Sequence, residues 1–309
     1  RVRIGIDLGG TKTAGVLIDD DGGEIDRIRA PTTRMDYDGT IIGIKTVVDA
    51  LEHRVDRRDL RVGIGIPGTI SKQSGLVKNA NSTWLIGRAF GRDLERALAR
   101  PIRVENDANC LALSEARDGA ATGYDPVFSA ILGTGVGAGI CVRGQLLTGP
   151  NGIAGEWGHN PLPWPTEDDD GVETCYCGQT GCIETYLSGP GLAADYARLK
   201  GEMATSVEEQ VTGLEVAERV DTGELLARKA YERYVERLAR ALAHVINIID
   251  PGVIVLGGGV SQMGSLCTDV PRIWGQWVFS DTVVTELKPA FHGDDSGVRG
   301  AAHLWRPGE

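Results

Sequence analysis

The stretch richest in reactive side chains runs from Ala154 to Glu184. It opens Ala-Gly-Glu-Trp-Gly-His and closes Cys-Tyr-Cys-Gly-Gln-Thr-Gly-Cys-Ile-Glu. His159, Cys175, Cys177 and Cys182 offer nitrogen and thiolate donors at a spacing that closes a four-coordinate zinc site. With all four positions supplied by protein, such a site is structural. The competing reading is three buried thiols and an unrelated histidine, yet Cys-x-Cys-Gly-x-x-Gly-Cys is tighter than packing alone demands. Glu156 and Glu184 stand just outside these ligands, so a metal pinning both ends would turn two carboxylates toward one pocket.

Two glycine-threonine loops form a second group, Gly9-Gly10-Thr11-Lys12-Thr13 and Gly133-Thr134-Gly135-Val136-Gly137-Ala138-Gly139. Glycine lets backbone N–H groups converge on an anion without a Cβ in the way. Thr11 and Thr134 add hydroxyls, and Lys12 adds a charge. One loop alone reads equally well as a tight hairpin turn; two matching loops plus Gly257, Gly258 and Gly259 favour a nucleotide cleft. The second loop also fits the dinucleotide fingerprint, but that fingerprint needs a helix to follow, and Gly139-Ile-Cys-Val-Arg reads as a strand. The Walker pattern fails as well, because Lys12-Thr13 lacks the upstream glycine.

Isolated carboxylates complete the set. Asp7 closes an apolar strand beside the first glycine loop, where burial is costly without a metal, a water or donors; contact with Mg²⁺ is the natural use. Asp107 lies between a strand end and a helix start. It reads as a helix cap shared with Asn106, or as a general base accepting a hydroxyl proton during phosphoryl transfer, with Asn106 orienting the hydroxyl. Capping and catalysis are compatible. The Asp168-Asp169-Asp170 run lacks calcium-loop spacing and reads as a solvated loop. Cys110, Cys141 and Cys267 read as buried small hydrophobes.

The elements that must position these groups alternate between strand and helix. Residues 3–8 and 14–18 read as a hairpin, 40–55 as an amphipathic helix, and 62–66 as a buried strand. A polar loop (78–84) precedes a helix over 91–100, a strand over 102–105 and a helix over 110–116. The second half repeats the opening: a strand over 127–132, the glycine loop, and a returning strand over 140–142. Such duplication predicts two related α/β lobes. Residues 188–223 are helical and loop-like. Leu226, Ala230, Tyr234, Leu238, Leu242, Val245 and Ile249 mark one face of a long helix, before a strand over 253–256. A segment over 297–305 returns as a helix to the first lobe. The predicted lobes are 1–118 with 296–309 packing back, and 119–295, with a hinge near 117–126.

The composition is that of an ordinary globular protein, with 309 residues, 41% hydrophobic and 24% charged. A net charge of −11 argues against nucleic-acid binding, which needs clustered Lys and Arg. No apolar run reaches the length of a membrane span and no leader pattern opens the chain, so the expected location is the cytoplasm. A disulfide scaffold does not suit this length and compartment.

Taken together, the motifs resemble the ROK family (repressors, uncharacterised frames and sugar kinases) within the hexokinase–actin–Hsp70 fold. The resemblance covers essentially the whole chain. Ile-Asp-Leu-Gly-Gly-Thr-Lys-Thr is similar to the family's first phosphate loop, Leu-Gly-Thr-Gly-Val-Gly-Ala-Gly to its second, and Val-Leu-Gly-Gly-Gly-Val to its adenosine motif. Within the family the chain looks most like bacterial fructokinases of the manno(fructo)kinase kind, on Val77–Trp84, Glu156–Trp164 and His292–Ala302. The resemblance implies an α/β, two-lobed actin/hexokinase-like (ribonuclease H-like) fold with a duplicated lobe and a central cleft. It also implies transfer of the ATP γ-phosphate to a hexose 6-hydroxyl, fructose first, with mannose, glucose and N-acetylglucosamine as alternatives. Asp107 matches the base; Asn106, Glu156, His159 and Glu184 match sugar contacts. His159 also matches a zinc ligand, and its two ring nitrogens allow both roles. Mg-ATP is expected on Asp7, Gly9, Gly10, Thr11, Lys12, Thr134 and Gly135, with adenine toward Gly257–Gly259. The family suggests a homodimer. Its repressor branch carries an N-terminal helix-turn-helix that this sequence lacks, which disfavours the alternative of a non-catalytic sugar sensor.

Overall fold

The computed structural model describes residues 1–80, 82–201 and 211–309. Asn81, within the 77–84 stretch, and residues 202–210, within 188–223, lie outside the described residues. The elements come in the order β1 (Val2–Leu8), β2 (Lys12–Asp19), β3 (Glu24–Pro31), α1 (Tyr37–Arg54), β4 (Arg61–Ile66), β5 (Thr69–Ile70), β6 (Val77–Lys78), α2 (Phe90–Leu98), β7 (Ile102–Asn106) and α3 (Asp107–Asp118). Then come β8 (Val127–Leu132), β9 (Val136–Val142), β10 (Gln145–Leu146), α4 (Glu184–Leu187), α5 (Gly189–Lys200), α6 (Gly213–Asp221), α7 (Leu225–Ile249), β11 (Val253–Gly257), α8 (Leu266–Ile273), β12 (Glu286–Pro289) and α9 (Ser296–His303).

Among the described residues there are two five-stranded sheets, ordered β3-β2-β1-β4-β7 and β10-β9-β8-β11-β12, and a two-stranded β5-β6 sheet. Matched in chain order, the two sheets have the same strand order, which is the duplication expected from the repeated glycine loops. In the first, β1 pairs antiparallel with β2 and parallel with β4, which runs parallel to β7. The apolar run in β4 suits a parallel strand covered on both faces, and Val62, Ile64 and Ile66 are fully buried. Above it, α1 starts on an Asp36 cap, whose side chain accepts from the Gly39 N–H at 3.0 Å. The helix buries Ile44, Val47, Val48 and Leu51 against the same core.

One compact unit comprises residues 1–122, 139–154 and 294–309, and a second comprises 123–138 and 155–293. The C-terminal helix α9 belongs to the first unit and packs on β1, β4 and α3. It approaches α3 so closely that a Cβ on Gly300 would lie 1.8 Å from the Cys110 carbonyl oxygen. In the second unit α7 buries the expected stripe from Ala230 to Val245, with only its outermost positions, Leu226 and Ile249, half-buried.

Several local expectations need correction. β3 and β12 carry no strand signal in the sequence, because Glu-Ile-Asp-Arg-Ile-Arg is too charged, and Glu-Leu-Lys-Pro too short, to show strand patterning. α3 starts at Asp107, not at Cys110, and β9 starts at Val136, so the second glycine turn shrinks to Gly133–Gly135. Residues 188–223 contain two regular helices, α5 and α6. Cys267 is only half-buried, and Cys177 is exposed. The acidic run is not a solvated loop: Asp169 is 4% exposed. Among the described residues no helix is long and apolar enough to cross a membrane.

Candidate functional site

In the first unit the β1–β2 turn is braced from the side by β3 and the residue after it. The Gly9 N–H donates to the Lys12 carbonyl at 3.0 Å, and the Thr32 N–H to the Thr11 carbonyl at 2.9 Å. The Thr32 hydroxyl donates to the Gly9 carbonyl at 2.9 Å. The tip, Gly10, Thr11 and Lys12, is exposed. A Cβ on Gly10 would meet nothing within 4 Å, so the ligand-free fold places no steric demand for glycine there. Close approach of a bound group to that backbone would supply the demand.

Asp7 ends β1 beside this loop. Burial first, then the neighbouring Asp107 charge, push its carboxyl up to about 7, against a smaller opposing pull from Lys12. The structure thus brings Asp7, Lys12 and Asp107 into one electrostatic neighbourhood, although they are far apart in sequence. Two interacting carboxylates beside a lysine are a donor set that suits a divalent cation.

Local chemistry at the β7–α3 junction separates two roles that sequence left shared. Asn106 is the cap: its side-chain oxygen accepts from the N–H groups of Ala108 at 2.9 Å and Asn109 at 3.3 Å. Its amide donates to the Gly68 carbonyl at 3.2 Å. Asp107 is the first helical residue and accepts from Ala108 N–H at 2.8 Å. Helix formation therefore does not rely on Asp107 alone.

In the second unit the glycine loop is tied to the segment that follows the three cysteines. Gly133 N–H donates to the Gly135 carbonyl at 3.0 Å, and Gly189 N–H to the Gly133 carbonyl at 2.7 Å. Glu184, at the start of α4, accepts the Val136 N–H at 2.8 Å. Thr134 remains exposed. Gly258 has φ +87°, and a Cβ on it would sit 2.4 Å from the Leu132 carbonyl, so this glycine is required by the fold and sets Gly257–Gly259 beside the loop.

The donor atoms of His159, Cys175, Cys177 and Cys182 all lie within 4.8 Å of one another. Nδ1 of His159 is 3.5 Å from the Cys175 sulfur, and the Cys177 and Cys182 sulfurs are 3.6 Å apart. Tetrahedral zinc with ordinary bond lengths places its ligand atoms roughly 3.3–3.8 Å apart, so the cluster fits that ion. A hydrogen bond from the Gln179 backbone, opposed by burial, lowers the Cys177 thiol to about 7, toward the thiolate a metal requires. Glu156 immediately precedes the single turn Trp157–His159, whose Trp157 is buried.

The span between His159 and Cys175 is held by charges that sequence reading missed. Asp169 accepts from Arg237 Nε at 2.7 Å and from Arg240 at 2.9 Å, and Arg240 also donates to the Trp164 carbonyl at 2.7 Å. Both arginines are 2% exposed or less. Burial opposes ionisation of Asp169, but Arg240, the Thr166 N–H and Arg237 outweigh it and hold the carboxyl at about 2. A signal existed: Arg237 and Arg240 stand among Leu238, Ala239, Ala241 and Leu242 in the middle of α7, where a guanidinium must find a buried partner.

With this geometry established, comparison with known proteins is decisive on ancestry. The sequence model of the ROK family matches residues 3–307. The chain belongs to the ROK family. It is 36% identical over 304 residues to an N-acetyl-D-glucosamine kinase from Pectobacterium atrosepticum, covering 97% of each chain. A ROK hexokinase from Thermus thermophilus superposes with TM-score 0.84 at 27% identity, over 98% of this chain and 97% of that one. A ROK-family glucokinase from Streptomyces griseus, in complex with glucose and AMPPNP, superposes with TM-score 0.80 at 29% identity over 100% of both chains. The fold of this ROK protein is accordingly the α/β, two-lobed actin-like fold of those sugar kinases.

Proposed function

We propose that the chain is an ATP-dependent sugar kinase that transfers the γ-phosphate to the 6-hydroxyl of a hexose. The observation that carries the reading is Asp107 at the first turn of α3, with capping delegated to Asn106 and Asp7 at hand. In this assignment Asp107 accepts the hydroxyl proton as the sugar oxygen attacks phosphorus. Asn106 orients that hydroxyl, and Glu156, His159 and Glu184 bind the remaining sugar oxygens. Gly9–Lys12, Thr134 and Gly135 receive the ATP phosphates, and Gly257–Gly259 the adenosine. Magnesium, held at Asp7, would neutralise charge on the phosphates. Zinc on His159, Cys175, Cys177 and Cys182 would serve structure alone. Catalysis is then largely positioning and electrostatic stabilisation, with no covalent intermediate on the protein.

N-Acetylglucosamine is the first acceptor to test, because a relative 36% identical across nearly the whole chain is an N-acetyl-D-glucosamine kinase. Fructose is the second, favoured by the Val77–Trp84, Glu156–Trp164 and His292–Ala302 motifs that resemble fructokinases. Glucose and mannose complete the panel. The test is a coupled assay of ADP release with each sugar. Turnover with one or more hexoses is expected, ranked by kcat/KM; sugar binding without ADP release would replace the kinase reading with a sugar-sensing regulator.

A further inference from the structure

Leu214, the second residue of α6, is 57% exposed, although the same helix buries Gly213, Val216 and Val220. It stands off that buried stripe, on the face that continues with the exposed Glu218 and Asp221, so the ligand-free fold gains little from a leucine there. What it meets is Gly259: a Cβ on that glycine would lie 3.1 Å from Cδ2 of Leu214. Gly259 is exposed and begins a single helical turn without a positive φ, so a glycine there serves space and not conformation. The start of α6 is placed with little freedom. Thr212 and Glu215 form a capping box across its first turn. A Cβ on Gly213 would lie 2.5 Å from the Gly189 carbonyl oxygen, and Gly189 N–H donates to the Gly133 carbonyl at 2.7 Å. The second glycine loop, the start of α6 and Gly257–Gly259 thus form one corner of the second unit.

We infer that Leu214 is a nucleotide-contacting residue: its side chain and the bare backbone of Gly259 form the apolar wall on which the purine of ATP stacks. The inference rests on the nucleotide part of the kinase reading and adds to it a side chain that Gly257–Gly259 cannot supply. A nucleobase is uncharged and presents a flat face, which aliphatic carbon covers without a hydrogen bond. The carboxylates of Glu218 and Asp221 on the same helix face disfavour phosphate there, which leaves the phosphates to the glycine loop. A single exposed leucine is ordinary on a protein surface; this one is set apart by its contact with a glycine whose missing side chain keeps the space beside it open.

Leu214→Ala removes the wall, and Leu214→Met keeps its volume. Calorimetry on the full chain measures binding of Mg-ATP, of adenosine, which has no phosphate, and of tripolyphosphate, which has no base. Sugar KM, kcat and melting temperature are followed alongside. In Leu214→Ala, affinity for ATP and for adenosine should fall about tenfold, the effect of a few apolar carbons lost from a pocket. Tripolyphosphate affinity, sugar KM, kcat and melting temperature should not move, because the residue is exposed and meets only the base. Leu214→Met should bind ATP and adenosine as the wild type does. Adenosine that fails to bind the wild type, or binds it and Leu214→Ala alike, overturns the inference. So does a parallel loss of tripolyphosphate affinity or of melting temperature, which would make Leu214 a support of the glycine corner. If the wild type binds ATP but phosphorylates no hexose, the kinase reading falls and the binding data alone judge Leu214; if the wild type binds no ATP, both fall.

Discussion

In the first unit the candidate groups stand at the ends of regular elements: Asp7 closes β1, Asn106 closes β7 and Asp107 opens α3. In the second unit Glu156, His159 and the three cysteines ride on irregular chain between β10 and α4. The two sheets share one strand order, so the difference lies in the segments that leave the strands. A helix start holds a carboxylate in place through backbone hydrogen bonds that the helix makes anyway. An irregular segment has no such ladder, and its geometry needs cross-links. Here they are the Cys₃His cluster and the pairing of Asp169 with Arg237 and Arg240. Chemistry in the first unit should therefore be separable from stability, whereas in that irregular segment of the second the two should fail together.

The sharpest test is Asp107→Asn. Turnover should fall by roughly 10²–10⁴-fold, the scale of a lost general base, while the melting temperature stays put because Asn106 still caps α3. Near-normal turnover, or a large loss of stability, would break the contrast. Next in size is Asp169→Ala in the second unit. Removing the carboxylate shared by two buried guanidinium groups, of which Arg237 keeps Asp195 at 3.1 Å, should cost about 3–5 kcal/mol, read from denaturant midpoints, and should weaken sugar binding too. Unchanged stability would mean that the segment is held by the metal cluster alone.

A smaller effect concerns pH. Asp7 has its folded carboxyl raised to about 7 from an ordinary value of 3.8. Between pH 4 and 7 the unfolded chain has released this proton while the folded one retains it. Its contribution is full below about pH 4 and is lost as pH rises to about 7, at no more than about 1.4 kcal/mol per pH unit. Urea unfolding without ATP or Mg²⁺ should therefore show wild-type stability falling relative to Asp7→Asn across that window. Parallel pH profiles would refute the raised Asp7 carboxyl. Smallest of all, Gly10→Ala should change stability by under about 1 kcal/mol while raising KM for ATP; an unaltered KM would remove Gly10 from the phosphate site.

Much of the fold was legible because its signals are local. Apolar runs ending in Gly-Gly-Thr and Gly-Thr-Gly marked β1 and β8, the buried run before Pro67-Gly68 marked β4, and four-residue spacing marked α7. Cysteine spacing pointed to the Cys₃His cluster before any geometry, since four potential ligands on a short segment have few other uses. Asp169 was misread because a triplet of aspartates looks solvated when its partners lie some seventy residues onward on a helix. β3 was missed because its neighbour β2, not its own composition, makes it a strand.

The residue types, the two glycine loops, the ligand spacing and the polar cap before α3 are properties of the sequence alone, since each acts over a few neighbouring residues. Tertiary structure decided that Asn106 and not Asp107 is the principal cap, that Asp7 and Asp107 share a field, and that Asp169 is buried between two arginines. It also decided that Leu214 stands against Gly259. These depend on which groups meet across the fold, where burial and opposing charges, which no sequence window contains, set protonation and partner.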